Sequence, residues 1–222
     1  MQGKQAPSKL TMYDLIVPGC QDFVERLKCH LLNRLLGHEY DGDEHEYTTA
    51  QENKLIIAGN TIHRHKVLRI NYTTYDMRRD QDSLKPDNHA DFMVLANEDE
   101  GEYPYWYGRL IGIFHANISY IGPECASSEI RRMDFVWVCW FGQDLERGYT
   151  EGWKARRLPH IGFVPHEDPG ALGFLDPALI IRGIHVIPAF AHGQTGSLLP
   201  MWSIARHSDD KDEDWVMYYF NM

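Results

Sequence analysis

One early segment of the chain repeats apolar residues at the spacing of an α-helix. Between Gln21 and Leu36 they recur every three or four positions, so they fall on one side of a helix. These positions are Val24, Leu27, Leu31 and Leu35. Asp22 suits the positive N-terminal end of such a helix, and Gly37 offers a C-terminal stop. The pattern predicts an amphipathic helix over residues 21–36.

The next apolar runs are typical of strands. In KLIIAGNTIHRHKVLRINYTTYD (54–76), two β-favouring runs flank Gly59 and Asn60, and this pair is a hairpin turn signal. The second run, residues 61–76, is long for a strand, and we expect it to bend or break near Asn71. The segment RRDQDSLKPDNHAD (78–91) is predicted to be rich in turns.

The rest of the pattern predicts strands and one short helical segment. The strands are expected at 91–96, 106–118, 135–141, 183–190 and 214–220, and the helical turn at 176–181. Both faces of the strand 106–118 are partly apolar, so it is central or belongs to a barrel. Because strands and helices do not alternate, the pattern favours a mainly β (α+β) fold, a partly open β-barrel with short peripheral helices. We expect a flexible lead-in over 1–19 and a single domain over 20–222.

The amino-acid composition is typical of a globular protein. Of its 222 residues 43% are hydrophobic, and no apolar run approaches the roughly 20 residues that span a bilayer. The N-terminus has no apolar region of a signal peptide, so we expect an intracellular protein. Its four cysteines contain no CxxC pair, which favours reduced thiols over a zinc ribbon or a disulfide scaffold.

The net charge of the chain limits the classes of molecule that we expect it to bind. The formal net charge is -10, and acidic residues concentrate in blocks at 41–46, 97–102 and 208–214. Nonspecific affinity for nucleic acid comes mainly from Lys and Arg that neutralise phosphates, so this balance disfavours a free-standing DNA-binding protein. We expect the acidic blocks to form solvated loops or to attract a basic protein.

Aromatic residues cluster in the two runs YWYGRLIGIF (105–114) and FVWVCWF (135–141). Three or four rings that converge on a methylated ammonium group form an aromatic cage, whereas the same rings on strands are also ordinary core. Both interpretations stay open. The cage candidates are Tyr103, Tyr105, Trp106, Tyr107, Trp137, Trp140 and Phe141.

A basic patch is the second candidate binding feature. Cationic side chains concentrate near the aromatic Trp153 and just before the second aromatic run, where they could contact phosphate or pair with the acidic loops. The candidates are Arg131, Arg132, Lys154, Arg156 and Arg157.

Signals for catalysis are weak. His63 and His65 point to the same side of a strand, a spacing that can place two imidazoles on one metal, but no further ligand is evident. His115 lies on an apolar strand, and we interpret it as a core or rim histidine. No GxSxG elbow, cysteine nucleophile signature or phosphate loop is present. We therefore expect no enzyme activity and no cofactor.

The aromatic strand pair resembles a bromo-adjacent homology (BAH) module. The resemblance rests on Tyr107, Gly108, Arg109 and Ile111 in the first strand and on Trp137, Val138, Trp140 and Phe141 in the second. It covers less than a quarter of the chain and implies an SH3/BAH-like barrel.

A longer resemblance covers most of residues 15–222. The chain is similar to the C-terminal region of Plavaka-type, CACTA-like transposon proteins of basidiomycete fungi, through segments at 65–86, 90–96, 105–118, 153–165, 173–193 and 212–222. This implies an accessory module of a transposase, in the nucleus. Cys139 departs from the related WVRWFG pattern, which has arginine there.

Together these features predict a noncatalytic protein-interaction module of a transposon-derived protein. The expected partner is a histone tail, another basic peptide or the transposase core, with no membrane partner. One alternative is a DNA-contacting accessory domain that uses the basic patch. A second alternative is a metal-assisted hydrolase built on His63 and His65.

Overall fold

The computed structural model describes residues 7–11, 22–38, 47–88, 90–96, 104–122, 129–143, 160–199 and 213–221. The fold is mainly β, as predicted, and the strand pairs with a defined register are antiparallel. Within these ranges, 3-10 turns lie at Pro169–Ala171, Pro177–Leu179 and Phe190–His192. The helices and strands are α1 Phe23–Leu36, α2 Thr49–Glu52, β1 Ser8–Thr11, β2 Leu55–His65, β3 Leu68–Thr73, β4 Arg79–Leu84, β5 Asp91–Leu95, β6 Tyr105–Tyr120, β7 Arg131–Gln143, β8 His160–Phe163, β9 Leu172–Leu175, β10 Ile180–Gly183, β11 His185–Pro188, β12 Gln194–Thr195, β13 Asp214–Trp215 and β14 Tyr218–Asn221.

The chain divides into two compact units. Unit 1 comprises Met1–Lys66, Gly112–Val136 and Phe174–Pro177, and unit 2 comprises Val67–Ile111, Trp137–Gly173 and Ala178–Met222. Strands β6 and β7 each contribute residues to both units. The single domain over 20–222 stays a prediction. The lead-in predicted to be flexible contains β1, which pairs with β2.

The predicted amphipathic helix is confirmed as α1. It ends at Gly37, which has a left-handed φ of 77° that glycine adopts without strain, and the Gly37 N–H donates to the Arg34 carbonyl. The buried side chains of α1 are Phe23, Leu27, His30, Leu31 and Leu32. Among the helices that the structure describes, none has the length and apolarity needed to cross a membrane.

Aromatic rings form the core of unit 1. Phe135 on β7 stacks on Phe114 of β6 at 5.5 Å between centroids, and Phe174 meets Phe135 edge to face at 5.8 Å. Phe23 of α1 contacts Phe174 at 5.0 Å. Each ring buries a large apolar area, worth about 1.5–3 kcal/mol by transfer from water. The contact of Phe23 with Phe174 therefore joins helix α1 to this aromatic core.

The predicted hairpin turn at Gly59 and Asn60 is wrong. Strand β2 continues through both residues, and the register with β6 is interrupted between Ile57 and Ile62. Gly59 and Asn60 have φ values of 65° and 48°, so the left-handed conformations that favour a turn are used in a bulge. Sequence signals for a tight turn and for a bulge are the same, because both need positive φ.

Two further expectations for this part of the chain are corrected. The long run breaks between His65 and Leu68 rather than near Asn71, and the segment predicted to be rich in turns contains β4. β4 pairs residue for residue with β3 in a two-stranded sheet, from Leu68 opposite Leu84 to Thr73 opposite Arg79. Backbone hydrogen bonds to β3 stabilise β4 as a strand, although the polar residues of β4 have a low strand propensity.

Unit 2 has strands in the order β10, β5, β6, β7, β8, β14 and β11. β6 has neighbours on both sides, which confirms that it is central. The two end strands, β10 and β11, are separated along the chain by Ile184 alone. In the part of the chain that the structure describes, the hydrogen-bonded path is open between them, so a closed SH3-like barrel is not established.

A buried ion pair lies inside unit 2. Arg109 Nε donates to Asp91 Oδ1 at 2.7 Å, and the two side chains are only 7% and 10% exposed. Burial opposes the charge on Arg109, but the Asp91 carboxylate outweighs it and raises the pKa of the guanidinium. The guanidinium also lies over the rings of Phe141, Phe163 and Tyr218, at 5.6, 5.0 and 5.9 Å from their centroids.

Asp91→Asn should therefore destabilise the protein strongly, since it removes the Asp91 counter-charge from the buried Arg109 cation. We expect a loss of about 3–5 kcal/mol in the free energy of unfolding, measured by urea denaturation. Asp76→Asn is the matched control, because Asp76 pairs with Arg78 on the surface and such pairs contribute little. Equal losses in the two variants would contradict this account of unit 2.

His30 is a buried imidazole on α1. Its side chain lies 6.0 Å from the Phe174 ring, and its Nε2 has no hydrogen-bond partner among the described residues. Burial, and then the nearby Arg34 cation, lower the pKa of His30 to about 3. The folded protein therefore holds a neutral imidazole at this position at neutral pH.

His30 should make the protein less stable as the pH falls. The unfolded chain takes up a proton on His30 near pH 6.5, whereas the folded chain does so only near the lowered pKa. The unfolded state thus binds more protons between these values, and stability falls by up to about 1.4 kcal/mol per pH unit. In urea denaturation from pH 7 to 4, His30→Leu should reduce this slope, and the lowered pKa values of His65 and His115 should leave the remainder. Parallel curves for the variant and the unmodified chain would contradict the assignment.

Candidate functional site

Three of the predicted cage residues belong to the core of unit 2. Tyr107, Trp137 and Phe141 are each less than a tenth exposed. The Tyr107 ring lies 4.2 Å from Phe220, and Phe141 stacks on Phe163 at 4.5 Å. Phe141 thus contacts a cation, but that cation is the chain's own Arg109.

The other described cage candidates keep exposed area. Tyr105, Trp106 and Trp140 are each partly exposed, and Tyr103 lies outside the described residues. Trp106 and Trp140 meet edge to face, with centroids 6.2 Å apart and planes at 73°. We call this pair the tryptophan corner. Two rings at a steep angle form two walls of a site for a cationic or apolar group.

Strand register places the tryptophan corner. Trp106 stands opposite Val94 of β5, and Gly108, two residues on, stands opposite Phe92. The absence of a side chain at Gly108 leaves room for Phe92, whose ring meets Trp140 at 6.1 Å. Trp140 therefore packs against the core residue Phe92 and against Trp106.

Negative charge lies next to the tryptophan corner in the sequence. The Ala96 N–H donates to the Pro104 carbonyl at 2.9 Å, so the loop between β5 and β6 starts and ends beside Tyr105. This loop carries four acidic residues in NEDEGE (97–102), which lies outside the described residues. Four acidic residues therefore lie within eight positions of Trp106 in the sequence.

The basic patch is described only in part. Arg131 and Arg132 are exposed at the start of β7, and Lys154, Arg156 and Arg157 lie outside the described residues. Arg132 Nη2 contacts Asp134 Oδ1 at 2.6 Å, so one of the two described cations has an acidic partner. Of this patch, the described part of the chain therefore contains only Arg131 and Arg132, which are neighbours in the sequence.

In unit 1 the structure brings three histidines to one face of the sheet. His63 of β2 stands directly opposite His115 of β6, and their rings stack at 4.6 Å with an interplanar angle of 9°. His65 is the diagonal neighbour, and its Nε2 lies 2.7 Å from His115 Nδ1. One ligand atom from each of His65, His115 and Asp134 lies within 4.8 Å of the others, so these residues could hold a metal ion.

The charge state of these imidazoles suits metal binding. Burial first, and then Arg132, His63 and His65, lower the pKa of His115 to about 4, against an opposing effect of Asp134. Burial and Arg132 also lower the pKa of His65. Both rings are therefore mainly neutral at pH 7 and keep a lone pair available.

Sequence reasoning named His63 and His65 but missed His115 as a partner. The two histidines on β2 were visible from their spacing, whereas His115 is 50 residues from His65 and meets it only through the β2–β6 register. Cys139 is fully buried, and burial raises the pKa of its thiol to about 12. It is therefore a neutral core side chain.

Comparisons with protein-family models, curated proteins and solved structures find no match to this chain. The BAH and transposon resemblances therefore stay expectations from sequence motifs. Two clusters of side chains in the described residues have the chemistry of a binding site: the tryptophan corner in unit 2 and the histidine face in unit 1.

Gly108→Ala should disturb the tryptophan corner. An added Cβ would lie 2.7 Å from Phe92 Cζ and 3.2 Å from Trp140 Cε3, so both rings would have to shift. We expect a loss of about 1–3 kcal/mol in unfolding free energy and a change in tryptophan fluorescence. The matched control is Gly142→Ala, whose Cβ would approach nothing closer than Val164 Cγ2 at 3.4 Å. Identical behaviour of the two variants would contradict the close packing at Gly108.

Proposed function

We propose that the chain is a noncatalytic protein-interaction module that binds a basic peptide, such as a histone tail, at the tryptophan corner. The observation that carries the proposal is the pair of partly exposed rings of Trp106 and Trp140, which meet at 73° beside the ends of an acidic loop. The other described cage candidates, except Tyr105, are buried in the core of unit 2.

The chemistry of the corner favours a cation with apolar substituents. A methylated lysine carries its charge on a weakly hydrated group, so an aromatic face attracts it and little water must be removed. Acidic residues at 97–102 would attract the neighbouring lysines and arginines of a basic tail. An acidic chain of net charge -10 also repels nucleic acid at long range.

The motif resemblance supports the same class of function. Under it, unit 2 is an SH3/BAH-like barrel of a transposon-derived, nuclear protein, and the one-residue link between β10 and β11 is what a bent strand of a small barrel would need. The transposase core is the other protein partner that this resemblance suggests. A DNA-contacting role has weaker support, because Arg132 is paired with Asp134.

The test is a titration of tryptophan fluorescence with unmodified and lysine-methylated histone-tail peptides. We expect saturable quenching, with tighter binding of a methylated peptide. Trp106→Ala and Trp140→Ala should each weaken binding about tenfold, because a partly desolvated cation–π contact is worth up to about 2 kcal/mol.

Trp215→Ala is the matched control. Trp215 is also a partly exposed tryptophan of unit 2 in edge-to-face contact, with Phe190 at 4.9 Å, and it should leave peptide affinity unchanged. A duplex DNA titrated at two salt concentrations tests the alternative, since phosphate binding weakens steeply with salt. Salt-sensitive DNA binding without any peptide binding would replace the proposal with a DNA-contacting role.

A further inference from the structure

We propose that His65, His115 and Asp134 in unit 1 bind a divalent transition-metal ion, such as Zn²⁺, with a further position open to water. The three residues come from β2, β6 and β7. Their ligand atoms lie within 4.8 Å of one another, although 69 residues separate His65 from Asp134 in the chain. Two imidazoles and a carboxylate are a donor set typical of zinc and its neighbours in the first transition row.

The distances require only small side-chain movements. In a tetrahedral site with metal–ligand bonds of about 2.0–2.1 Å, neighbouring ligand atoms lie roughly 3.3 Å apart. His65 Nε2 and His115 Nδ1 are 2.7 Å apart, so they must separate by about half an ångström to admit the ion. The Asp134 carboxylate must approach them, and because this side chain is half exposed it can rotate.

Binding of the ion needs no strong base to remove the proton that His65 and His115 share. At 2.7 Å one ring of the His65–His115 pair donates its N–H to the lone pair of the other. When an ion takes both nitrogens, that proton moves to the second nitrogen of the donor ring, and each imidazole stays neutral.

The backbone around the ligands is fixed from the opposite side of the sheet. Arg34 of α1 donates from Nη1 to the Asp134 carbonyl at 2.5 Å, and its Nη2 pairs with Asp176 at the same distance. His63 stacks on His115 and limits rotation of that ring. Ligands on paired strands with such support are held close to their binding positions before the ion arrives.

Two cations oppose binding. Arg132 Nη2 contacts Asp134 Oδ1 at 2.6 Å, and Lys9 of β1 stands opposite His63 in the strand register. Arg132 and Asp134 are each about half exposed, so their attraction is weak and an ion can compete for the carboxylate. The site should therefore bind more tightly when the charge of Arg132 is removed.

The experiment is a Zn²⁺ titration of the full chain after treatment with a chelator, read by competition with a chromophoric zinc indicator. We expect one Zn²⁺ per chain and a rise in melting temperature, because an ion that binds only the folded state stabilises it. His65→Gln and Asp134→Asn should each weaken binding at least tenfold, and Arg132→Gln should strengthen it. Co²⁺ in place of Zn²⁺ should give visible absorption bands that His65→Gln alters.

His65 and Asp134 are chosen because they are less buried than His115, and far-ultraviolet circular dichroism checks that each variant is folded. The matched control is His160→Gln in unit 2, where His160 packs on His192 and Tyr219, and it should leave Zn²⁺ affinity unchanged. Equal affinities in the unmodified chain and in His65→Gln would overturn the proposal. So would an equal loss in His160→Gln, or a loss in Arg132→Gln as large as that in His65→Gln.

Discussion

The buried charge of Arg109 is the constraint on which unit 2 depends. A cation out of water is tolerated only where an anion and polarisable groups replace its hydration. Asp91 of β5 supplies the anion, and Phe141 of β7, Phe163 of β8 and Tyr218 of β14 supply the ring faces. One guanidinium on β6 thereby fixes the relative positions of four other strands, which apolar packing alone would specify less strictly.

This arrangement divides the aromatic residues of the two central strands into two groups. Phe141 contacts the buried Arg109 cation, and Tyr107 and Trp137 pack in the core. Trp106 and Trp140 are left partly exposed at the edge of the same packing. The core that shields Arg109 therefore also supports the tryptophan corner, so a ligand there would bind rings that are already held in place.

The sequence predicts elements whose signal is local. Helix α1 follows from apolar spacing and Gly37, and β6 follows from a long β-favouring run with two apolar faces. Pairing partners depend on register, which no local pattern encodes. For this reason Gly59 and Asn60 suggested a turn and the polar β4 was missed. His115, interpreted as a core or rim histidine, is buried, but its contacts with His63 and His65 were not predicted. The rings that stay exposed could not be predicted either, because burial depends on which strands neighbour β6 and β7.

The bulge in β2 makes chain length, as well as residue identity, a critical property of this segment. Four residues of β2 between Ile57 and Ile62 stand opposite a single residue of β6, Asn117. Side chains alternate between faces, so this odd surplus reverses the alternation: it keeps Ile62 on the face of Ile57 and turns His63 to the other side. An insertion or deletion of one residue here would exchange the two faces and bury imidazoles in place of isoleucine. Pairs of residues could be gained or lost during divergence, whereas single ones could not.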